Sequence, residues 1–463
     1  MKEIRLDAAV VGAGTAGLFA AARISHKTEK FLVFEGGIEG TTCARVGCMP
    51  SKAVIALGRA FATASGQMGN SGAGGSKAAD TEAVLARVRE MRDGLYKSTA
   101  ANARARFGDK IVNETVSFAE PMILTGAETR YVCGAIVAAT GSTPAVPPGW
   151  RLSPGKIVTT DTFFELPRLP ERVLAVGAGP VGVELAQAMA HLGLSVTLVE
   201  MTERVAAVSD PDVEKAVKEM LAGEKNLACR FQTAARLDSE NGGPVLVTLT
   251  DRATGKYERA EFDLVLLASG RRPNVEALRL ENSGLALDGR GFPRIDPKTL
   301  KADGQNVFFA GDASAIRPFY HDAADQGMLA GVNAVAGGDL STLPERVPLA
   351  IVFTDPNVAM VGAGPASLPP EGFVTGRADA SRSGRGIVEG GKQGLMSLYF
   401  AKADGRLLGA QMAMPAGEHL AHYLSVMISG RFTVDDVLAL PFYHPTYEEL
   451  VKSAVEDARR ALR

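Results

Sequence analysis

The chain has 463 residues, 46% of them hydrophobic and 22% charged, with a formal net charge of −2. A length of this order predicts about three domains, and the ordinary composition predicts a globular protein. Scattered Lys and Arg without a basic arm exclude a nucleic-acid or membrane-surface role. No apolar run reaches the roughly 18 residues of a membrane-spanning helix.

The first segment, MKEIRLDAAVVGAG, has an apolar core too short for a signal peptide and reads as a first β-strand. It opens residues 6–35, LDAAVVGAGTAGLFAAARISHKTEKFLVFE. This is an apolar strand, a G-x-G-x-x-G turn at Gly12, Gly14 and Gly17, an Ala-rich helix, and a second strand ending at Glu35. Residues 171–200, ERVLAVGAGPVGVELAQAMAHLGLSVTLVE, repeat the pattern with Gly177, Gly179, Gly182 and Glu200 at the same spacing. In such a unit the first glycine makes a tight turn, the second lets the backbone approach a pyrophosphate, and the third lets helix pack on strand. The helix start offers free N–H groups and a positive dipole end to the phosphates, and the terminal acid accepts from a ribose diol. A lone glycine-rich turn is weak evidence. Strand, helix and acid together, twice, predict two dinucleotides, a resident flavin and an exchangeable nicotinamide. Glu200 would repel a 2′-phosphate, and Met201 follows it with Arg204 the nearby cation, which favours NAD over NADP.

Next comes GTTCARVGCMPSKA, residues 40–53, with Cys43 and Cys48. The pair could be a structural staple, half of a metal site, or a redox pair. Only four cysteines in the chain make no disulfide framework and predict a reducing compartment, the cytoplasm. A zinc site needs about four ligands. There is no second cysteine pair and the six histidines show no partnering spacing, so no metal is expected. The redox reading has local support. Pro50 suits the first turn of a helix, so Cys48 would sit at a positive helix end with Lys52 one turn on, and both favour thiolate. Arg45 adds positive charge. In an unbroken helix residues five apart lie about 8–9 Å apart at Cα, beyond the ~7 Å limit for a disulfide. The pair can therefore bond only if the chain leaves helix before Cys48, and Gly47 suits that departure. A glycine-rich stretch follows at 65–80.

Further on, Cys133 lies in an apolar strand as core, and Cys229 carries no signal. The strands IVAATGSTP (136–144) and NVFFAGDAS (306–314) end in glycine turns that support a flavin in the first unit, with Asp312 able to reach ribityl hydroxyls. Near the C-terminus, segments AIVF, VAMVG, LMSLYF and LLGAQMA alternate with helices, an α+β pattern. In PFYHPTYEEL, Pro445 is predicted to begin an amphipathic helix with His444 at its edge. A lone histidine there is more often a cap or a packed ring. One that titrates near 6.5 also suits a group that takes and returns a proton.

Taken in order, GAGTAG, C-x₄-C-x-P-S-K, ATGS, GAGPVGVE, SGRRPN, AGDA and YHPTYEEL resemble the flavin-dependent pyridine nucleotide–disulfide oxidoreductases over essentially the whole chain. Among these the chain looks most like the dihydrolipoamide dehydrogenases. The resemblance implies an α/β fold with two Rossmann-like dinucleotide-binding domains, for FAD and NAD, and a C-terminal α+β dimerisation domain. The expected bounds are 1–145 for FAD, 146–275 for NAD, 276–346 for the second part of the FAD domain, and 347–463 for dimerisation. Carried over by motif, FAD contacts fall to Gly12, Gly14, Gly17, Glu35, Thr42, Lys52, Thr140, Gly141, Ser142, Gly311 and Asp312. NAD contacts fall to Gly177, Gly179, Gly182, Glu184, Glu200 and Gly270.

The resemblance further implies a Cys43–Cys48 disulfide, Cys43 meeting the substrate and Cys48 lying against the flavin. His444 would be the acid–base group, oriented by Glu449 and supplied to the disulfide of the partner subunit in a homodimer. Lys52 would lie near the flavin, paired with Glu184. The implied substrate is a dihydrolipoyl group on a lipoylated carrier protein or a 2-oxo acid dehydrogenase complex. The chain departs from the family at Arg45, where Asn is usual, at Tyr443, where Ala is usual, at Arg272 before Pro273, and in the 65–80 stretch. A glutathione reductase-like enzyme using NADP and an enzyme serving an unusual lipoyl carrier are the alternatives. A purely structural peripheral subunit would not need Cys43, Cys48, His444 and Glu449 together.

Overall fold

The computed structural model describes residues 1–66, 78–391 and 393–463; of the glycine-rich stretch, 67–77 lies outside them. The chain forms two compact units. One comprises Met1–Pro50, Arg89–Ala145 and Arg271–Pro344, the other Ser51–Val88, Val146–Gly270 and Glu345–Arg463. Residues 51–88 join the second unit because the helix Cys48–Ala64 buries Val54 and Ile55 in one core with Leu185, Ala188 and Met189. Gly58 allows the close approach: a Cβ there would meet the Ala188 carbonyl oxygen at 2.8 Å.

In the first unit a parallel sheet runs in the order Val307–Phe309, Ile136–Ala138, Ala8–Val11, Phe31–Phe34, Ile111–Val112. Its central strand, Ala8–Val11, is buried at every residue, as a parallel strand covered on both faces must be. The single N-terminal strand expected from the sequence is two strands. Lys2–Leu6, mostly exposed, pairs with Thr129–Cys133 in a separate sheet. The chain changes sheet at Asp7, whose N–H donates to the Lys30 carbonyl at 2.7 Å. A half-wet strand and a fully buried one need different neighbours, and the apolar run alone does not show the switch. Behind the parallel sheet, the helix Thr15–Ile24 packs on the helix Tyr320–Ala334. Gly327 and Gly331 make that packing close: a Cβ on them would meet the carbonyl oxygens of Ala16 and Ala20 at 2.2 and 2.4 Å.

The second unit repeats the parallel design with Ile157–Val158, Leu264–Leu267, Arg172–Val176, Ser195–Val199 and Leu227–Arg230 in that order. An antiparallel meander of Thr233–Ser239, Val245–Asp251 and Tyr257–Phe262 follows. Its last part is an antiparallel sheet ordered Leu349–Val352, Asn357–Gly362, Leu407–Met414, Leu395–Ala401, Phe373–Asp379. The helices Gly417–Ser429 and Glu449–Leu462 pack on this sheet, forming the expected α+β layer. Tyr399, fully buried, donates from its hydroxyl to Asp210 Oδ2 at 2.8 Å. Asp210 caps the helix Pro211–Ala222 with its other oxygen, and its N–H donates to Gln411 Oε1 at 2.8 Å. These bonds tie the C-terminal sheet to the nucleotide-binding part of the same unit. Among the described residues no helix is long and apolar enough to cross a membrane.

Candidate active site

The two glycine turns have the same geometry. Gly12 and Gly177 adopt φ of +105° and +106°, a region that favours glycine. A Cβ at Gly17 or Gly182 would lie 1.8 Å from the carbonyl oxygen of Gly12 or Gly177, so the helix can meet the turn only through hydrogen. By contrast, a Cβ at Gly14 or Gly179 would meet nothing within 4 Å. The open side of each turn is where the backbone must come close to a pyrophosphate. Glu35 Oε2 accepts from Ala13 N at 3.0 Å, and Glu200 Oε2 accepts from Ala178 N at 3.0 Å. Each carboxylate is thus anchored to the residue after the first glycine, with lone pairs left for a ribose diol.

The other flavin candidates, Lys52 excepted, lie in the first unit. Ser142 donates to Asp312, while Arg271 holds Ser142 through Nε to Oγ at 2.7 Å and Nη2 to the carbonyl at 2.8 Å. Gly141 and Gly311 take positive φ of +73° and +67°. The Thr140 hydroxyl is buried without a hydrogen-bond partner. A buried hydroxyl left unanswered in the protein fits a site completed by a bound polar group, and the open turn at Gly14 fits a dinucleotide. The residues present therefore fit FAD. Arg271 escaped the sequence reading, although it stands in SGRRPN. Gly270, expected at the nicotinamide dinucleotide, has φ of +98° with open space before it.

Cys43 lies in a short helix, Thr42–Arg45, capped by the Thr41 hydroxyl, and Cys48 is the first residue of the helix Cys48–Ala64. The chain leaves helix at Val46, with φ −134°, and at Gly47. The departure that a disulfide requires is present. Gly47 serves it by close approach: a Cβ there would lie 3.3 Å from the Cys43 Cα. Cys43 is half-buried and Cys48 exposed, and Thr42 beside them is exposed. Arg45 keeps its Nε buried without a hydrogen-bond partner. The other two cysteines are different. Burial pushes the thiols of Cys133 and Cys229 up to about 12, so neither is a nucleophile at neutral pH. Among the described residues no cluster could hold a metal ion.

In the second unit Lys52 donates to Glu184 Oε2 at 2.7 Å, the pairing the sequence led us to expect. Glu184 is buried, and its Oε1 accepts from Phe353 N at 2.8 Å, while the Lys52 ammonium lies 4.6 Å from the Phe353 ring centroid. The lysine charge is therefore answered locally. Gln187, one turn on, binds both the N–H and the carbonyl of Asp355.

His444 and Glu449 also meet. His444 Nδ1 lies 3.0 and 3.1 Å from the two Glu449 oxygens. A carboxylate accepts only from a protonated Nδ1, which leaves Nε2 with its lone pair to act as base. The His444 side chain is 73% exposed. The helix expected from Pro445 begins instead at Glu449. Thr446 N–H donates to Glu449 Oε2 at 3.1 Å and its hydroxyl donates to the Tyr443 carbonyl at 2.8 Å. Side chains, not helical backbone bonds, close this turn, and the first helical acid reaches backward as in a capping box. The Thr446 N–H, and after it the imidazole, hold the Glu449 carboxyl below its usual range.

Residues 6–335 match the family model described as pyridine nucleotide-disulphide oxidoreductase, and residues 348–455 match that family's dimerisation domain. The chain belongs to the pyridine nucleotide-disulphide oxidoreductases. It is 29% identical to dihydrolipoyl dehydrogenase of Bacillus subtilis over 98% of this chain and 97% of that protein. It is 30% identical to dihydrolipoyl dehydrogenase of Haloferax volcanii and to mercuric reductase of Streptomyces lividans, each over 97% of this chain and 95% of the relative. The fold matches the HOCl-induced flavoprotein disulfide reductase RclA of Escherichia coli with a TM-score of 0.81 at 20% identity, covering 97% of this chain and 99% of that one. LpdA of Mycobacterium tuberculosis matches with a TM-score of 0.79 at 23% identity over 99% of both chains. The α/β fold and the FAD and NAD(H) cofactors expected from the sequence follow from this membership, and the dimerisation domain supports the homodimer.

Proposed function

We propose that the protein is a dihydrolipoyl dehydrogenase, oxidising a protein-bound dihydrolipoyl group to its cyclic disulfide with reduction of NAD⁺. The observation that carries the reading is the cysteine turn, two thiols on separate helical segments folded together at Gly47. In the homodimer, His444 Nε2 of one protomer takes the proton of a substrate thiol at the cysteine pair of its partner, and Glu449 of the same protomer as the histidine stabilises the imidazolium. The substrate thiolate attacks the Cys43 sulfur of a Cys43–Cys48 disulfide. Cys48 leaves as thiolate at the positive end of its helix. The second substrate thiol then attacks the substrate sulfur of the mixed disulfide, and Cys43 departs as the other half of the enzyme dithiol. Two electrons and two protons have left the substrate. FAD, which the Gly12–Gly14–Gly17 turn, Glu35, Ser142 and Asp312 would hold, would supply the two-electron chemistry that passes the dithiol's electrons to NAD⁺.

The remaining assignments are supported as follows. The Glu200 carboxylate closes the second unit and favours NAD over NADP, while Arg204 is spent on the Val208 carbonyl at 3.2 Å. The full-length dihydrolipoyl dehydrogenase relatives support a lipoylated carrier protein or a 2-oxo acid dehydrogenase complex as partner, and the low cysteine count supports the cytoplasm. The test compares turnover of dihydrolipoamide with NAD⁺ against glutathione disulfide with NADPH. Faster turnover of the second pair refutes the proposal. In parallel, Cys48→Ser should abolish the long-wavelength band of the reduced protein while FAD stays bound.

A further inference from the structure

The imidazole of His444 is held on one side by Glu449. Its other side faces the first residue of a different segment. A Cβ on Gly384 would stand 3.3 Å from His444 Cε1 and 3.9 Å from Nε2. Gly384 opens a tight turn: the Ser383 hydroxyl accepts from Gly386 N at 2.9 Å, and Gly391 N donates to the Gly386 carbonyl at 2.9 Å. The turn is bolted to the histidine segment itself. The buried Tyr447 hydroxyl donates to Glu389 Oε2 at 2.9 Å, and Arg385 pairs with Glu389 at 2.6 Å. Gly384 has ordinary φ, so backbone conformation does not demand glycine there. Proximity to the ring does.

We propose that Gly384, in the turn Ser383–Gly391, is a positioning residue for His444, forming the wall opposite Glu449 that keeps the ring aligned on that carboxylate. A Cβ at 384 stands tight against the edge carrying Cε1 and Nε2, and the ring must give by a few tenths of an ångström. The ring then yields away from Gly384, and its Nδ1 alignment on the Glu449 carboxylate is disturbed. Glu449 faces the ring from its own segment, and in the turn that carries Gly384 the Arg385 and Glu389 charges are paired with each other. Since the latter pair is internally balanced, a displaced imidazolium loses Glu449 and gains nothing comparable.

The inference deepens the acid–base reading of His444, but its main readout does not use activity. His444 Cε1–H, the atom nearest Gly384, is observable by NMR in protein labelled at histidine Cε1, with His444→Gln supplying the assignment. Gly384→Val should move this resonance, as expected on a change in the ring's contact with Glu449. Gly384→Ala should do the same to a smaller extent. kcat for Gly384→Val should fall about 10- to 100-fold with KM little changed, because a misplacement of ~1 Å costs on that order. In a Glu449→Gln background Gly384→Val should move the resonance much less, since the partner it acts through is gone. Unaltered FAD content and circular dichroism establish that the variants fold. The proposal is overturned if Gly384→Val leaves the His444 Cε1–H resonance unchanged, or if the resonance moves equally far without Glu449. Should His444→Gln retain full activity, the acid–base reading fails while the NMR coupling stands or falls separately.

Discussion

Replacing Gly14 or Gly179 by alanine separates the demands of the cofactor from those of the fold. Both glycines have dihedrals that any residue can adopt, φ −78° and −69° with ψ −170° and 178°. Both face open space. The fold therefore has little at stake. Alanine at a compatible glycine site stabilises by about 0.4–1 kcal/mol through the unfolded chain, and loss of glycine at a helix N-cap costs a few tenths to about 1 kcal/mol. The two offset to within about 1 kcal/mol. The dinucleotide has much more at stake, because the new methyl occupies the approach of the pyrophosphate. Overpacking of that kind costs about 1–3 kcal/mol, or roughly 5- to 150-fold in affinity. Thermal unfolding of FAD-stripped protein should show Gly14→Ala near the parent, while fluorescence titration shows weakened FAD binding and the KM for NAD⁺ barely moves. Gly179→Ala should do the reverse. Gly17→Ala is the contrasting variant, since its Cβ would lie 1.8 Å from the Gly12 carbonyl oxygen, and it should damage the apoprotein itself. If Gly14→Ala held FAD as tightly as the parent, or weakened the stripped protein as much as Gly17→Ala does, the division of labour among the three glycines would be wrong.

Tyr399→Phe removes a donor from the buried Asp210 carboxylate and should lower stability by about 1.5–3 kcal/mol, as for hydrogen bonds to charged groups. An unchanged denaturation midpoint would show that the bond is not needed. Burial, and then Asp210, push the Tyr399 phenol far above its ordinary range, so raising the pH to 10 should not undo this bond. For Glu449 the folded carboxyl lies below its unfolded value near 4.3. Its contribution to stability is present above that value and is lost as pH falls through the lower, folded one. Unfolding midpoints measured from pH 5 downward should therefore decline less steeply in Glu449→Gln than in the parent. The same variant should lose at least about 10-fold in kcat, within the roughly 10²–10⁴-fold that an acid–base group contributes. Equal acid slopes in parent and variant would contradict the assignment.

Much of the site could be read before any coordinates, because its geometry is local. A glycine turn and the acid at the next strand's end are short-range patterns, whereas the pairing of His444 with Glu449 came through the family motif. The Lys52–Glu184 pair spans a long stretch of sequence and was accessible only through family resemblance. Other features obey tertiary demands that no short window carries. The strand break at Asp7 depends on which sheet Lys2–Leu6 finds. The helix after His444 starts late because Glu449 bonds Thr446 N–H, leaving Pro445 outside it. Tyr399 with Asp210 and Gly384 with His444 come from separate parts of the chain, and neither residue type marks itself. Gly327 and Gly331 did leave a signal, two glycines one helical turn apart in a helix, which marks a backbone pressed against a neighbour.

The near-identity of the two glycine turns means that neither can decide how long its nucleotide stays. With one backbone mould used twice, a permanent guest and a passing one are gripped alike at the phosphates. Residence would be set farther out, by what closes over the rest of each molecule, with Asp312, Ser142, Arg271 and the buried Thr140 hydroxyl the candidates in the first unit.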